Sequence, residues 1–364
     1  MLDCFKQKIC GFGIDLSDLS IKIVYLKKKN KKLSLASFGR QEIPEGFIKE
    51  GEIKQEQGLI EVIKKSIKEV KGETLKTNYC IVSLPENESF VRVVNLPLMQ
   101  PEEVNEAIKW EIEAHIPLSL EEIYYDWQII ATNGSQKTKD HLDVLIGVLP
   151  KSTVDPYLDV LKKANLLPLA FEIESIATAR ALIKNSKSEH PLMIIDIGAQ
   201  RTSLLIFANQ TIYFTTSLPI SNNSLVESLS SYLNISQEKA KKIKIKVGLD
   251  FNHPKSRVFE AFRIPLSGLC EKIKNYLDFF NDHIAPEHNL DAKVEEIILC
   301  GGGANLAGLP KFLNSNLNLP VRIGNPWVNI SEDEKLLEAS GFPAQESLSF
   351  TTALGLALRN YVLD

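Results

Sequence analysis

Gly13-Ile-Asp-Leu-Ser-Asp-Leu-Ser-Ile-Lys-Ile-Val-Tyr-Leu26 governs how the chain is read, because it returns as Ile194-Ile-Asp-Ile-Gly-Ala-Gln-Arg-Thr-Ser-Leu-Leu-Ile-Phe207. In both stretches an apolar strand reaches an aspartate, crosses a short turn and resumes as an apolar strand. Asp15 aligns with Asp196, so one strand–turn–strand device occurs once in each half, as a duplicated architecture requires. A tight turn of this kind supplies backbone N–H donors, and small residues beside it let a phosphate approach. A carboxylate at the strand end is suited to a phosphate-bound Mg²⁺, often through water. Asp15 and Asp196 are thus the candidate metal-facing pair, one from each wall of a cleft. A third signal follows at Glu295-Glu-Ile-Ile-Leu-Cys300, which runs into Gly301-Gly-Gly-Ala-Asn-Leu-Ala-Gly-Leu309. It predicts a strand, a glycine loop and a helix whose N-terminus adds donors for the nucleoside side.

Working outward, Leu33–Ile43 reads as a further strand, with Lys27-Lys28-Lys29-Asn30-Lys31-Lys32 as a solvated hairpin tip. Leu59, Ile60, Ile63 and Ile67 recur at helical spacing over 56–71. Short strands at 79–84 and 90–96 precede a helix that opens at Pro101-Glu-Glu, where proline and acids favour an N-terminus. Strands at 123–130 and 142–149 and a helix near 153–164 complete a mixed unit over about 80–168. Helices are predicted at 224–233, 237–247 and 266–285. In the last, Leu266, Leu269, Ile273, Leu277, Phe280 and Ile284 form a core-packing stripe.

The 364 residues exceed one small core, and 44% hydrophobic with 24% charged residues is the composition of a soluble globular chain. A net charge of −4 argues against a general nucleic-acid binder. Cys4, Cys10, Cys80, Cys270 and Cys300 are scattered, without C-x-x-C spacing, which argues for a reducing compartment and against a disulfide framework or zinc site. No apolar run reaches the length of a membrane span, and the first residues lack the apolar core of a secretory signal. The expectation is a cytoplasmic protein that meets a membrane only through a partner.

Taken in order, Gly13–Lys22, Asp196–Ser203 and Leu299–Leu309 resemble the two phosphate segments and the adenosine segment of the actin superfamily. Phe171–Arg180 and Thr352–Leu358 resemble its two connecting helices. Within the superfamily, Met99–Leu118 and Gly46–Ile53 are similar to stretches of the PilM family of type IV pilus assembly proteins, and the likeness runs over nearly the whole chain. The resemblance implies an α/β, actin-like (ribonuclease H-like) duplicated fold around an ATP cleft, with an inserted α+β subdomain where the cell-division protein FtsA has one. The segments expected are 1–79 for the first half, 80–168 for the insert and 169–190 for a connecting helix. The second half follows at 191–345, and a C-terminal helix at 346–364 returns to the first half. ATP and Mg²⁺ are the implied cofactors. The implied partner is the N-terminal cytoplasmic peptide of the membrane protein PilN, beside other pilus components, at the cytoplasmic face of the inner membrane.

The residues carried onto this chain for the nucleotide are Asp15, Ser17, Lys22, Asp196, Gly198, Lys244, Gly301, Gly302 and Gly303, with Asp15 and Asp196 for the metal. Glu174 matches the place where chaperone relatives carry an acid near the attacking water, and a helix-dipole role is its alternative. Ser17-Asp18 replaces a glycine followed by Ser or Thr, so that Asp18 adds a like charge beside the phosphate, Pro219-Ile-Ser-Asn-Asn replaces a Gly-Gly pair, and Lys241 replaces a glutamate. These departures leave the aspartates intact and imply slow or absent hydrolysis. The PilN tail is expected between the first-half core and the insert, with helix 102–115 as one wall. On that helix Val104, Ile108 and Ile112 face a core, and Trp110 lies off their stripe, either as an anchor for the tail or packed within the inserted unit. The rival readings are an FtsA-like membrane-associated filament protein and, further off, an acceptor-substrate kinase on the same fold.

Overall fold

The computed structural model describes residues 10–29, 32–130, 141–253, 256–290, 293–330 and 341–362. Cys4, the opening stretch, Asn30 and Lys31 of the lysine tip and the terminal Asp364 lie outside them. The strands are β1 Phe12–Leu16, β2 Ser20–Lys29, β3 Lys32–Glu42, β4 Ile48–Lys49, β5 Glu52–Ile53, β6 Lys71–Gly72, β7 Tyr79–Leu84 and β8 Phe90–Pro97. They continue as β9 Ile123–Ile129, β10 His141–Pro150, β11 Leu167–Ile173, β12 Leu192–Ile197, β13 Thr202–Ala208, β14 Thr211–Leu218, β15 Glu296–Cys300 and β16 Val321–Ile323. The main helices are α1 Glu56–Lys68, α2 Pro101–His115, α3 Lys151–Lys163, α4 Glu174–Leu182 and α5 Asn222–Leu233. They are followed by α6 Gln237–Val247, α7 Arg257–Phe279, α8 Leu309–Leu317 and α9 Thr351–Val362.

The chain divides into two units, the first from residues 1–88, 152–182 and 326–364, the second from 89–151 and 183–325. In unit 1 a six-stranded sheet runs β11-β7-β1-β2-β3-β6. All of β1 is buried, because β2 pairs with it antiparallel, β7 pairs with it parallel and α9 lies on its face. A Cβ at Gly13 would stand 2.5 Å from the Ala353 carbonyl and 2.7 Å from the Ala357 amide, so glycine lets helix and strand backbones meet. Helices α4 and α9 approach as closely. A Cβ at Gly355 would lie 1.8 Å from the Ala177 carbonyl, and Thr178 and Thr352 share a hydroxyl hydrogen bond of 3.2 Å. Glu172 at the end of β11 accepts two hydrogen bonds from Arg180 on α4 and a third from Arg359 on α9, which ties both helices to the sheet.

In unit 2 an eight-stranded sheet runs β16-β15-β12-β13-β14-β8-β10-β9. The interior strand β12 is almost wholly buried, antiparallel to β13 and parallel to β15, and it has the largely apolar sequence such a position demands. The stripe on α7 is buried throughout, together with Phe280 and Ile284 in the π-turn that continues it. At the other end, Val104, Ile108 and Ile112 of α2 pack on Val94, Leu96, Val144, Ile146 and Val148.

The stretch 80–168 is shared between the two units. β7 and the helix α3 belong to unit 1, whereas β8, α2, β9 and β10 join unit 2, where β8 pairs with β14 at Arg92 and Phe214. Alternating apolar residues show that a strand forms and which face is dry, and they are silent on which sheet it joins. The predicted connecting helix over 169–190 likewise begins as strand β11 and turns helical only at Glu174.

Candidate functional site

In unit 1, Asp15 sits next to the end of β1 and Lys22 directly opposite it on β2. Their side chains meet at 2.7 Å, Nζ to Oδ2, with both almost fully buried. Ser83 of β7 donates to the other carboxylate oxygen at 3.3 Å, and its Oγ accepts the Leu16 amide at 3.1 Å. The aspartate is therefore fixed in place and neutralised by a cation supplied from its own hairpin. Ser17 closes the turn: its amide donates to the Ser20 carbonyl, and its hydroxyl lies 3.3 Å from that of Ser20.

Asp18 does not crowd the phosphate segment with a second charge. Its carboxylate accepts the amides of Glu50 and Gly51 at 3.0 and 3.1 Å. Both of those residues have positive φ in the tight β4–β5 turn, so Asp18 holds an unusual backbone that the Tyr157 hydroxyl also grips through the Gly51 carbonyl at 2.9 Å. Burial pushes the Tyr157 phenol far above its usual range, and the charges of Asp18, Glu174 and Glu88 push it further. Glu174, at the start of α4, thus faces an acidic corner that local sequence gave no reason to assemble. Glu86 closes it by accepting the Ser175 amide at 3.2 Å, a cap on the first turn of α4.

In unit 2, Asp196 lies opposite Ser203 on β13 and beside Cys300 on β15. The fully buried Cys300 thiol donates to its carboxylate, and burial, followed by the Asp196 charge, pushes that thiol well above the ordinary range. Gly301 comes next, with φ of +78°, and a Cβ there would fall 2.2 Å from Asp196 Oδ1. A Cβ at Gly303 would fall 2.2 Å from the Ile197 side chain, while Gly302 is exposed at the start of a 3₁₀ turn over Gly302–Asn305. The glycine loop is thus folded directly over the aspartate strand, and the helix that follows begins only at Leu309.

Gly198 donates its amide to the Arg201 carbonyl at 2.8 Å and accepts the Asn222 amide at 3.0 Å, which brings the first turn of α5 onto the second phosphate segment. Asn222 in turn accepts a hydrogen bond from Lys244 of α6. Burial pulls the Lys244 ammonium down to about 8. Hence Asp196, Gly198, Lys244, Gly301 and Gly303 are joined by contact within one unit, and Asp15, Ser17 and Lys22 within the other.

These residues fit a magnesium nucleotide in kind. Mg²⁺ takes one or two carboxylates and completes its shell with water and phosphate oxygens, and among the described residues there is no cluster of three His, Cys, Asp or Glu to hold a metal alone. At Gly301 the loop backbone packs so closely on Asp196 and Ile197 that no side chain fits between them, which keeps the loop against the carboxylate. Ser83, Glu86, Tyr157, Asn222 and Cys300 escaped sequence reasoning. Only Cys300 carried a usable signal, its place immediately before the triple glycine.

Trp110 stands apart on α2 and is 72% exposed, so it does not pack within its own subdomain.

The fold and these paired hairpins define an actin-like protein. Over 97% of the chain and 99% of the other, the structure superposes with a TM-score of 0.77 on a PilM-PilN type IV pilus biogenesis complex, at 23% identity. MreB 5 of Spiroplasma citri bound to AMPPNP matches at TM-score 0.51 and 15% identity, covering 94% of this chain and 93% of that one. In sequence, cell division protein FtsA of Borreliella burgdorferi is 22% identical over 199 residues, half of this chain and 46% of its own length. The chain spans about half the length of the first such relatives. It belongs to the family of type IV pilus assembly protein PilM, whose sequence pattern matches residues 13–361.

Proposed function

We propose that this protein is an ATP-binding assembly factor of the type IV pilus machinery that docks onto the cytoplasmic tail of PilN. The observation that carries the reading is family membership over 13–361, joined to a likeness of 0.77 to a PilM-PilN complex. None of the described helices is long and apolar enough to cross a membrane, so a membrane-anchored partner supplies the tether. In this reading the protein works at the cytoplasmic face of the inner membrane. An extended tail, disordered when free, would gain order on binding, and Trp110 is the exposed aromatic offered as its anchor.

For the nucleotide, the residues offered are Asp15, Ser17, Lys22, Asp196, Gly198, Lys244 and the loop Gly301–Gly303. AMPPNP in the MreB 5 structure supports ATP as the ligand class. When bound, Mg²⁺ would offset phosphate charge, and Asp15 and Asp196 would hold it through water. Glu174 is the acid that would orient an attacking water. Hydrolysis is slow in this reading, because Asp15 is already neutralised by Lys22 and Glu174 shares its corner with Asp18 and Glu88.

Two measurements test the proposal. Mg-ATP should raise the melting temperature by mass action, and equal melting temperatures with and without it would remove the nucleotide. A synthetic PilN N-terminal peptide should bind the wild-type protein, and no binding removes the tether.

A further inference from the structure

The two most exposed of the large hydrophobic side chains described are Ile245, at 82%, and Trp110, at 72%. Each sits at the centre of a charged helical stripe, and the stripes have opposite sign. On α2, Trp110 is one turn from Glu106 and Glu113 and two turns from Glu103, all exposed. That helix holds five glutamates against Lys109, which is paired to Glu106 at 2.5 Å. On α6, Ile245 is one turn from Lys241 and Lys242, with Lys239 and Lys246 flanking; all four lysines are exposed, and Glu238 is the helix's one acid. The fifth lysine, Lys244, points inward to Asn222.

We propose that the acidic stripe around Trp110 on α2 docks against the basic stripe around Ile245 on α6 of a second copy of this chain. A lone isoleucine at that exposure gains nothing in water. Against the face of an indole it loses apolar surface, while the surrounding ammonium and carboxylate groups pair at the rim. Either stripe facing its own like is repelled, so the two surfaces select each other. The contact is heterologous, with a different patch on each partner, and such contacts close into a ring or extend as a chain. It stands whether or not PilN is the partner. Because it uses Trp110, a tail peptide anchored there would compete with it.

The test is sedimentation of the full chain at rising concentration and at two salt levels. Rim charges on this surface are screened over a Debye length of about 10 Å at about 0.1 M salt, so association should weaken at least about tenfold between about 0.05 and about 0.5 M. The doubly reversed variant Lys241→Glu/Lys242→Glu and the doubly reversed variant Glu106→Lys/Glu113→Lys should each be monomeric alone. Mixed in equal amounts they should associate again, since each then meets an oppositely charged stripe. That recovery also shows that both variants are folded. Trp110→Ala and Ile245→Ser should each weaken wild-type association. Wild type that stays monomeric at low salt overturns the proposal, including the case in which α6 instead binds vesicles of anionic lipid. So does association that the mixture fails to restore.

Discussion

In the β1–β2 hairpin the aspartate carboxylate lies against the Lys22 ammonium and the Ser83 hydroxyl, whereas in the β12–β13 hairpin it lies against the Cys300 thiol and the Gly301 backbone. The strands, the turn and the place of the aspartate are the same. What differs is the residue opposite, Lys22 for Asp15 and Ser203 for Asp196, and the next strand in the sheet: β7 brings a serine to Asp15, and β15 brings a thiol and then a glycine loop to Asp196. The first carboxylate is therefore a neutralised, rigid element of its own hairpin, and the second is an anion overlaid by a backbone that only glycine permits. A duplicated motif fixes a frame, and the neighbours threaded beside it set the electrostatics of each copy.

The comparison is broken most severely by removing the cation from the first hairpin. Lys22→Ala leaves a buried carboxylate uncompensated and should cost about 3–5 kcal/mol of stability, read as a lower urea midpoint. Asp15→Asn in the same chain should return part of that loss, because the unpaired charge is then gone. In the second hairpin the sharpest change is Gly301→Ala. Its Cβ would collide with Asp196 at a positive φ, so a loss of about 1–3 kcal/mol and a smaller Mg-ATP thermal shift are expected. If Lys22→Ala were harmless while Gly301→Ala unfolded the protein, the assignment of the first hairpin as the rigid one would be reversed.

A pH series sharpens the same contrast. The folded-state pKa of Lys244 is depressed to about 8, below the unfolded value near about 10.4. Between these values the unfolded chain binds more protons at this site, so stability rises with pH across the window and its dependence flattens above and below. Lys244→Met should remove that rise, as urea midpoints on either side of about pH 9 would show. Trp110→Ala has the smallest effect on the fold, within about 0.5 kcal/mol, since the ring is exposed. It should nonetheless weaken binding of the PilN peptide; undiminished affinity takes Trp110 out of the tail site.

Most of the elements were legible because burial imposes a period. Strand β3 at Lys32–Glu42 and the stripes of α1, α2 and α7 follow from alternation or helical spacing alone. Asp15 and Asp196 could be singled out because each ends an apolar strand just before a turn that returns in the other half, whereas Lys22 came only with the resemblance to the actin superfamily. The meaning of Asp18 was not legible. Next to a phosphate segment it reads as a repulsive charge, yet its carboxylate serves the Glu50 and Gly51 amides, more than thirty residues onward. The acidic corner of Asp18, Glu88 and Glu174 around Tyr157 draws on four separate stretches of chain, which no local pattern records.

By itself the sequence determined the twice-used strand–turn–strand device, the glycine loop after Cys300 and the dry faces of the helices, because each follows from short-range geometry and the removal of apolar groups from water. Only the tertiary structure decided that β8 to β10 extend the sheet of the second unit. It alone paired Asp196 with the Cys300 thiol and left Trp110 and Ile245 outside every core. The physical reason is range. Periodicity reports which side of an element meets water, whereas strand partners and charge neighbours depend on contacts between residues far apart in the chain, and many sequences with the same period would satisfy different ones.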